Sequence, residues 1–351
     1  MPEFRLPTSL RPMLGRLARE LPRGDLLYEP KWDGFRCLAF RTGDEVDLRS
    51  RHGRPLARYF PELVEGLLAL PARSFVLDAE IVAEAGFTSL MSRLHPAASR
   101  VARLSRETPT ELVCFDVLAS GDEQLLELPF AERRARLEEL LGDAAAPILL
   151  TPATHDPDTA EGWLERFEGG GIDGVMAKPL DMRYEPGARA MLKVKLERTA
   201  DCVLAGVRLF PDKPVLSSLL LGLYDSEGQL EHVGVVTSFR EARRIELLDE
   251  LAPLVTRLEG HPWEHGFLMG GSPMGRLPGA AGRWTPGEMT QDWVPLAPER
   301  VCEIAYDHLD FDRFRHPARF KRWRPDREPA SCTFEQLKRP VAALPEMLGR
   351  K

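Results

Sequence analysis

Glu29-Pro30-Lys31-Trp32-Asp33-Gly34-Phe35-Arg36 lies between two strand-like runs, Leu26-Leu27-Tyr28 before it and Cys37-Leu38-Ala39-Phe40 after it. The stretch puts a single lysine beside an acid, a glycine and an arginine. A lysine amine attacks only when deprotonated, and its ordinary pKa is about 10.4. Neighbouring cations and burial lower that value and free the lone pair. The acid can orient the ammonium or help hold a metal. The glycine is expected to let the backbone approach a bulky ligand, and Arg36 offers a planar donor fork for phosphate or ribose. Read alone, the same stretch is nearly as well explained by a strand with alternating exposed charges.

The surrounding chain narrows the choice. Its 351 residues suffice for two domains, each with its own core. Hydrophobic residues make up 43% and charged residues 29%, the balance of a soluble globular protein. A net charge of -7 argues against a uniformly basic nucleic-acid binder. The charge is segregated, however: from Arg313 to Arg327 the chain reads RFRHPARFKRWRPDR, seven Arg or Lys against one Asp. A basic, aromatic-laced segment in an acidic chain points to one local polyanion contact, and a solvated charged edge would look the same. Cys37, Cys114, Cys202, Cys302 and Cys332 are scattered with no CxxC pair, so a zinc cluster or disulfide framework is not expected. Reduced cysteines, an N-terminus without an apolar leader and no run of membrane-spanning length fit a cytoplasmic protein.

Turn signals and periodicity divide the chain further. Strands are expected at Asp47–Arg51, Ser74–Ala83, Leu112–Leu118, Gly174–Lys178 and Met191–Lys195, and helices at Tyr59–Leu70, Phe130–Leu141 and Thr159–Glu168. Lys193 and Lys195 alternate with apolar residues, so both face one side of their strand. After Glu197 the texture changes to three strand-like runs, Cys202–Phe210, Leu216–Tyr224 and Leu230–Ser238, then a helix over Arg240–Leu254. A Gly/Pro-rich loop is expected from Gly266 to about Pro298, with closing strands at Val301–Tyr306 and Phe320–Arg324. Five strands with one interrupting helix describe a small OB-type barrel. The domain boundary falls within 196–201, giving domains 1–198 and 199–351.

Seven short patterns occur in order: KWDGFR at Lys31–Arg36, SRHG at Ser50–Gly53, LDAEIV at Leu77–Val82, CFDVL at Cys114–Leu118, DGVMAKP at Asp173–Pro179, KVK at Lys193–Lys195 and RWRPDR at Arg322–Arg327. Each is weak alone. Read singly, Phe115 fits an ordinary core phenylalanine, Asp173 a turn-shaping residue beside Gly174, and Lys193 with Lys195 a solvated strand face. In this order and ending in a barrel, the set closely resembles the ATP-dependent DNA ligases of the covalent nucleotidyltransferase superfamily. The passage from Val301 to Thr333 is most similar to the small bacterial C-type ligases, and the resemblance runs from about Arg11 to Cys332.

The resemblance implies an α+β fold, in which an adenylyltransferase domain of ATP-grasp-like antiparallel sheets with helices precedes a C-terminal OB-fold β-barrel. It implies that Lys31 attacks the α-phosphate of ATP and becomes lysyl-AMP, with Glu29 beside the adenine edge and Phe115 stacked on the base. Arg36 and Arg51 match arginines near ribose and phosphates. Glu80 matches a carboxylate on the ribose that also supports metal, and Lys178, Lys193 and Lys195 match lysines around the α-phosphate. Asp173 stands where the family has a metal-binding glutamate; one methylene shorter, it implies a contact through water. Arg324 and Arg327 match the barrel residues that orient pyrophosphate, with arginine at 327 where many relatives have lysine. DNA contacts are expected from Arg51, Arg313, Arg315, Arg319, Lys321 and Arg322, and from the 266–298 loop.

The expected activity is nick sealing in DNA repair with ATP, held as covalent AMP, and Mg²⁺ or Mn²⁺. The expected partners are nicked duplex DNA and a repair polymerase or other repair protein, for a monomer that acts at the bacterial nucleoid. With no room for a helical DNA-binding domain ahead of Lys31, nick binding is expected to be weak and salt-sensitive. An RNA ligase, a capping-type nucleotidyltransferase and an inactive OB-fold binding protein remain as alternatives at this level.

Overall fold

Lys31 lies near the end of one strand, and the chain turns directly into the next. After a short β1 (Gly15–Ala18), β2 (Leu26–Trp32) carries the lysine and β3 (Phe35–Thr42) leads away from it. The computed structural model describes residues 4–338 apart from 85, 143, 168–170, 196, 265–292, 308 and 311. Gly34 sits at the turn, where a Cβ would lie 2.0 Å from the carbonyl oxygen of Ile81. The glycine is therefore required by a neighbouring strand of the protein, a reason separate from the expected room for a ligand.

The chain divides into two compact units, one ending at Leu196 and the other beginning at Glu197. The first continues with β4 (Glu45–Ser50), α1 (Pro61–Ala69), β5 (Ser74–Ala83), α2 (Phe87–Arg93), α3 (Ala98–Glu107), β6 (Thr110–Ser120) and β7 (Glu123–Gln124). It closes with α4 (Phe130–Leu141), β8 (Ile148–Leu150), α5 (Pro157–Phe167), β9 (Ile172–Pro179) and β10 (Met191–Val194). One sheet runs β4-β3-β5-β6-β7 with β8 beside β6, and the other runs β1-β10-β9-β2. Pairing is antiparallel except at two short strands, β1 on β10 and β8 on β6.

Period-two alternation assigns the faces. On β5, Phe75, Leu77, Ala79, Ile81 and Ala83 join Leu63 and Leu67 of α1 in one core. The opposite face carries Val76 and Val82, which belong to two further clusters with residues of the four-stranded sheet. Between these valines, on the same face, stand Asp78 and Glu80. Two acids on the inner face of an otherwise apolar strand mark where the cleft opens. The outer face of the four-stranded sheet is covered by Ala160 and Leu164 of α5.

The second unit contains β11 (Arg198–Phe210), β12 (Lys213–Tyr224), β13 (Leu230–Val236), α6 (Glu241–Leu251), β14 (Val294–Tyr306), the short pair β15 (Leu309–Asp310) and β16 (Arg313–Phe314), and β17 (Arg319–Trp323). Its main sheet has the order β13-β12-β11-β14-β17. Ala318, just before β17, bridges to Val236 of β13, and its N–H donates to the Val235 carbonyl at 2.8 Å. That bridge joins the two edge strands. The resulting circuit, with α6 between the third and fourth main strands, is the OB-fold barrel.

β14 begins at Val294, seven residues before the expected Val301, so the loop does not extend to Pro298. Pro295 and Pro298 suggested a loop, yet β17 pairs only with Cys302–Ala305. Upstream, that side of β14 meets only an isolated bridge from Leu296 to Val255, where the Pro295 carbonyl accepts from the Thr256 N–H, so residues without an N–H are tolerated. The remainder of the expected DNA-gripping loop lies largely outside the described residues, as does the tail after 338.

Candidate active site

The cleft of the first unit encloses about 890 Å³, part of it open to solvent, and Lys31, Arg36, Arg51, Glu80, Phe115 and Lys193 are among its lining residues. Lys31 Nζ lies 2.9 Å from Asp173 Oδ2, and Lys195 Nζ lies 2.7 Å from the same oxygen. Asp173, second in β9, is 6% exposed. The adjacent Gly174 has φ +140°, and a Cβ there would lie 2.2 Å from the Val194 carbonyl oxygen. Glycine thus lets β9 and β10 close together, which brings Asp173 to Lys195. Lys193, one strand position before Val194, makes no ion pair among the described residues. Burial pushes its pKa down, and the charges of Lys31 and Lys195 push it further. Three ammonium groups therefore share one side of the cleft with a single carboxylate among them.

Arg36 is fixed from behind. Its guanidinium donates to both Asp78 oxygens at 2.5 and 2.7 Å and to the Met13 carbonyl at 3.2 Å. Asp78 has no exposed surface and also accepts from the Tyr184 hydroxyl at 2.6 Å. Arg36 Cζ stands 4.4 Å from the Phe115 ring centroid. Phe115 packs with Trp32, Val82, Val113 and Ile172 while lining the cleft, so it is both a core residue and a wall of the site. Its ring is also 4.9 Å from Lys178 Nζ.

Glu29 and Lys178 form a buried pair at 2.6 Å. Arg134 reaches the other Glu29 oxygen at 3.1 Å, and Lys178 Nζ donates to the Phe115 carbonyl at 3.0 Å. Burial pushes the Glu29 carboxyl up, while Lys178 and Arg134 pull it back. The lysine's amine is thus engaged at the base of the Phe115 wall. Glu80 is pushed up to about 7, first by burial, with Arg36 and Lys31 opposing the shift. Arg51 is exposed at the tip of a turn in which the Gly53 N–H donates to the Ser50 carbonyl.

No group of three or more His, Cys, Asp or Glu side chains is placed to hold a metal among the described residues. Glu80, which lines the cleft, and Asp173, which meets Lys31, offer oxygen donors near the nucleophile. That donor set fits a hard divalent cation that takes its remaining ligands from nucleotide phosphates and water.

Arg324 and Arg327 belong to the second unit. Arg324 Nη1 donates to both Asp201 oxygens at 2.9 Å, and its Nε and Nη2 donate to Asp326. Arg327 Nε lies 3.3 Å from Asp201. The basic segment is partly neutralised within the barrel. Arg319 and Lys321 share Glu197 at 3.3 and 2.6 Å, and Arg322 meets Glu303 at 2.6 Å. Arg313 and Arg315 are half-buried around β16. Sequence reasoning missed Asp78, Tyr184 and Arg134 as supports and Arg189 as a lining residue. Of these, only Asp78 gave a local signal, by sharing a strand face with Glu80.

Comparison with known proteins agrees with this geometry. The family model described as the ATP dependent DNA ligase domain matches residues 12–195, and that of the ATP dependent DNA ligase C terminal region matches residues 212–327. DNA ligase C2 of Mycolicibacterium smegmatis is 51% identical over 336 residues, 94% of each chain. DNA ligase C of Mycobacterium tuberculosis is 47% identical over 339 residues, again 94% of each. Among solved structures, one from a study of Lig E DNA ligases has a TM-score of 0.54 at 16% identity, covering 89% of this chain and 99% of that one. At that identity the likeness concerns the fold alone.

Proposed function

We infer the course of the reaction from one premise: the chain belongs to the ATP-dependent DNA ligase family and is an ATP-dependent DNA ligase acting on nicked DNA. The neutral Lys31 amine attacks the α-phosphorus of ATP. An N–P bond forms, the bond to pyrophosphate breaks, and the nitrogen gives up one proton to solvent, which it regains when the amine is later released. A 5′-phosphate oxygen then attacks the phosphorus of lysyl-AMP and releases the amine. Finally the 3′-OH attacks the 5′-phosphate, loses its proton and expels AMP.

Asp173 orients Lys31 before attack, and Lys193, Lys195 and Arg51 hold phosphate oxygens as charge builds on them. Phe115 supports the base, Arg36 is held against it by Asp78, and Glu29 with Lys178 fixes the floor. Glu80 and Asp173 would hold Mg²⁺ or Mn²⁺, which when bound neutralises phosphate charge. Arg324 and Arg327 exchange their carboxylates for the leaving pyrophosphate when the barrel closes over ATP. On reopening, the barrel clamps the duplex with Arg313, Arg315, Arg319, Lys321 and Arg322. We place this monomeric enzyme in the bacterial cytoplasm, in DNA repair beside a repair polymerase.

The single observation that carries the reading is Lys31 at the cleft wall, 2.9 Å from an Asp173 oxygen that it shares with Lys195, and with Lys193 lining the same cleft. The test is incubation with α-labelled ATP and Mg²⁺ or Mn²⁺, followed by denaturing electrophoresis. Label that survives denaturation in wild type and disappears in Lys31→Ala is expected. Wild-type protein that takes no label, even after pyrophosphate has discharged any bound AMP, would sink the reading.

A further inference from the structure

Two arginine-bearing tracts of this acidic chain that meet in the fold contain no acids. No Asp or Glu occurs between Asp47 and Glu62, a tract that holds Arg49, Arg51, His52, Arg54 and Arg58. None occurs between Glu84 and Glu107, where Arg93, His95, Arg100, Arg103 and Arg106 lie. The fold brings the tracts together. Arg58 Nη2 donates to the Pro96 carbonyl at 2.9 Å, and Arg93 Nη2 donates to the Tyr59 carbonyl at 2.8 Å. Arg93 is fully buried and also takes both oxygens of Glu62, at 2.7 and 2.9 Å, so that acid is spent inside.

Resting on the reading of the chain as a DNA ligase, we propose that the exposed arginine face of α3 is a docking surface for the phosphates of duplex DNA, reached from the cleft through the Arg51–Arg58 tract. Arg100, Arg103 and Arg106 are all exposed, while Val101 is buried beneath them. At 3.6 residues per turn the three arginines span about 120° of the helix surface and about 9 Å along it. That length matches roughly two or three phosphates of one strand, which are spaced about 3.4 Å apart along the duplex axis. On α3 itself Glu107 opposes them, 3.4 Å from Arg103, and among the described residues no ion pair ties Arg100 or Arg106. Ordinary solvated helix faces intersperse both signs, whereas a single-sign face steers a polyanion. At the other end of the track, Arg51 lines the cleft beside Lys31. The surface thus leads a bound duplex toward the nucleophile from the adenylation unit itself.

The test uses the full chain with Arg100→Ala, Arg103→Ala and Arg106→Ala combined. The expected result is a Kd for nicked duplex raised at least tenfold at low salt. The slope of log affinity against log salt should fall by about 2 to 3, at about 0.9 per lost phosphate contact. Lys31 labelling by ATP should be unchanged, because the arginines do not touch the cleft. The corresponding triple lysine variant should recover most of the affinity. Arg106→Glu alone, which breaks no side-chain hydrogen bond among the described residues, should move Kd in the same direction by a smaller factor. Unchanged Kd and slope in variants that melt with wild type overturn the proposal. Absence of label on wild type would instead refute the underlying ligase reading.

Discussion

In the first unit Arg36 leans on Asp78, a carboxylate with no exposed surface, whereas in the barrel Arg324 leans on Asp201 and on Asp326, the latter 60% exposed. Both arginines make bidentate contacts at 2.5–2.9 Å, so geometry alone does not separate them. What differs is the alternative open to each carboxylate. Asp78 cannot reach water, and it also satisfies Tyr184, so removing Arg36 leaves a buried carboxylate without its counter-charge. Asp326 can be solvated at once, and its arginine can trade it for a phosphate at little loss. Fixed cations suit a pocket that must be formed before ATP arrives. Exchangeable ones suit a surface that meets pyrophosphate and DNA in turn.

The largest break in this contrast should come from Asp78→Ala. It leaves Arg36, 19% exposed on its side chain, without a carboxylate and with the Met13 carbonyl and the Phe115 ring as its remaining protein contacts, and it removes the Tyr184 acceptor. A loss of about 3 to 5 kcal/mol is expected, read as a lower denaturant midpoint at pH 7. Lys31 labelling should fall as well, because Arg36 no longer stands against Phe115. A loss below about 1 kcal/mol would mean the buried network does not fix the pocket, and the distinction between the units would collapse.

An intermediate effect is expected at Glu80, and its sign follows from its pKa of about 7. The ordinary value is about 4.3, so the fold favours the protonated acid. Stability is therefore full at low pH and is lost as pH rises from about 4.3 to about 7. Glu80→Gln escapes that loss. It should melt with wild type near pH 4.5 and above it at pH 8, by up to about 3 to 4 kcal/mol. Mg²⁺ should raise the wild-type melting temperature more at pH 8 than at pH 6, since protons compete for the carboxylate. A difference between variants that ignores pH would refute the assignment.

How much of this was visible beforehand depends on the range of the interaction. β5 and α4 fall on the boundaries read from periodicity, because alternation and helical spacing are local. The nucleotidyltransferase motifs were legible for the same reason, each lying within a strand or within a turn and the strand ends adjoining it. α2 and α3 were not: ASRVARLSRE has too few apolar residues to show a helical stripe, and Val101 is its one buried side chain. The partners of the motif residues were also hidden. Arg36 and Asp78 are 42 positions apart, and Glu29 and Arg134 are 105 apart. Nothing in either stretch names the other; only strand register and helix packing bring them together. Gly34 shows the converse, a visible glycine whose reason lay in the carbonyl of Ile81.

The smallest expected change in stability sharpens the contrast most. Glu197 is 44% exposed on its side chain and holds Arg319 and Lys321 of β17. Its carboxyl is held below the usual range, first by the hydrogen bond from Lys321 and then by the charges of Lys321 and Arg319. A depressed carboxylate contributes stability above its ordinary pKa and loses it as pH falls, but an exposed pair contributes little in either case. Glu197→Gln should therefore shift the denaturant midpoint by less than about 0.5 kcal/mol. The same change releases two cations on the barrel. If those cations meet DNA phosphates, the variant should bind nicked duplex more tightly than wild type at low salt, and its affinity should fall more steeply as salt is raised. Lys31 labelling should not move. Equal affinity and equal salt slope in wild type and variant would mean that β17 does not face the duplex, and that the carboxylates of the barrel neutralise its basic segment for structural reasons alone.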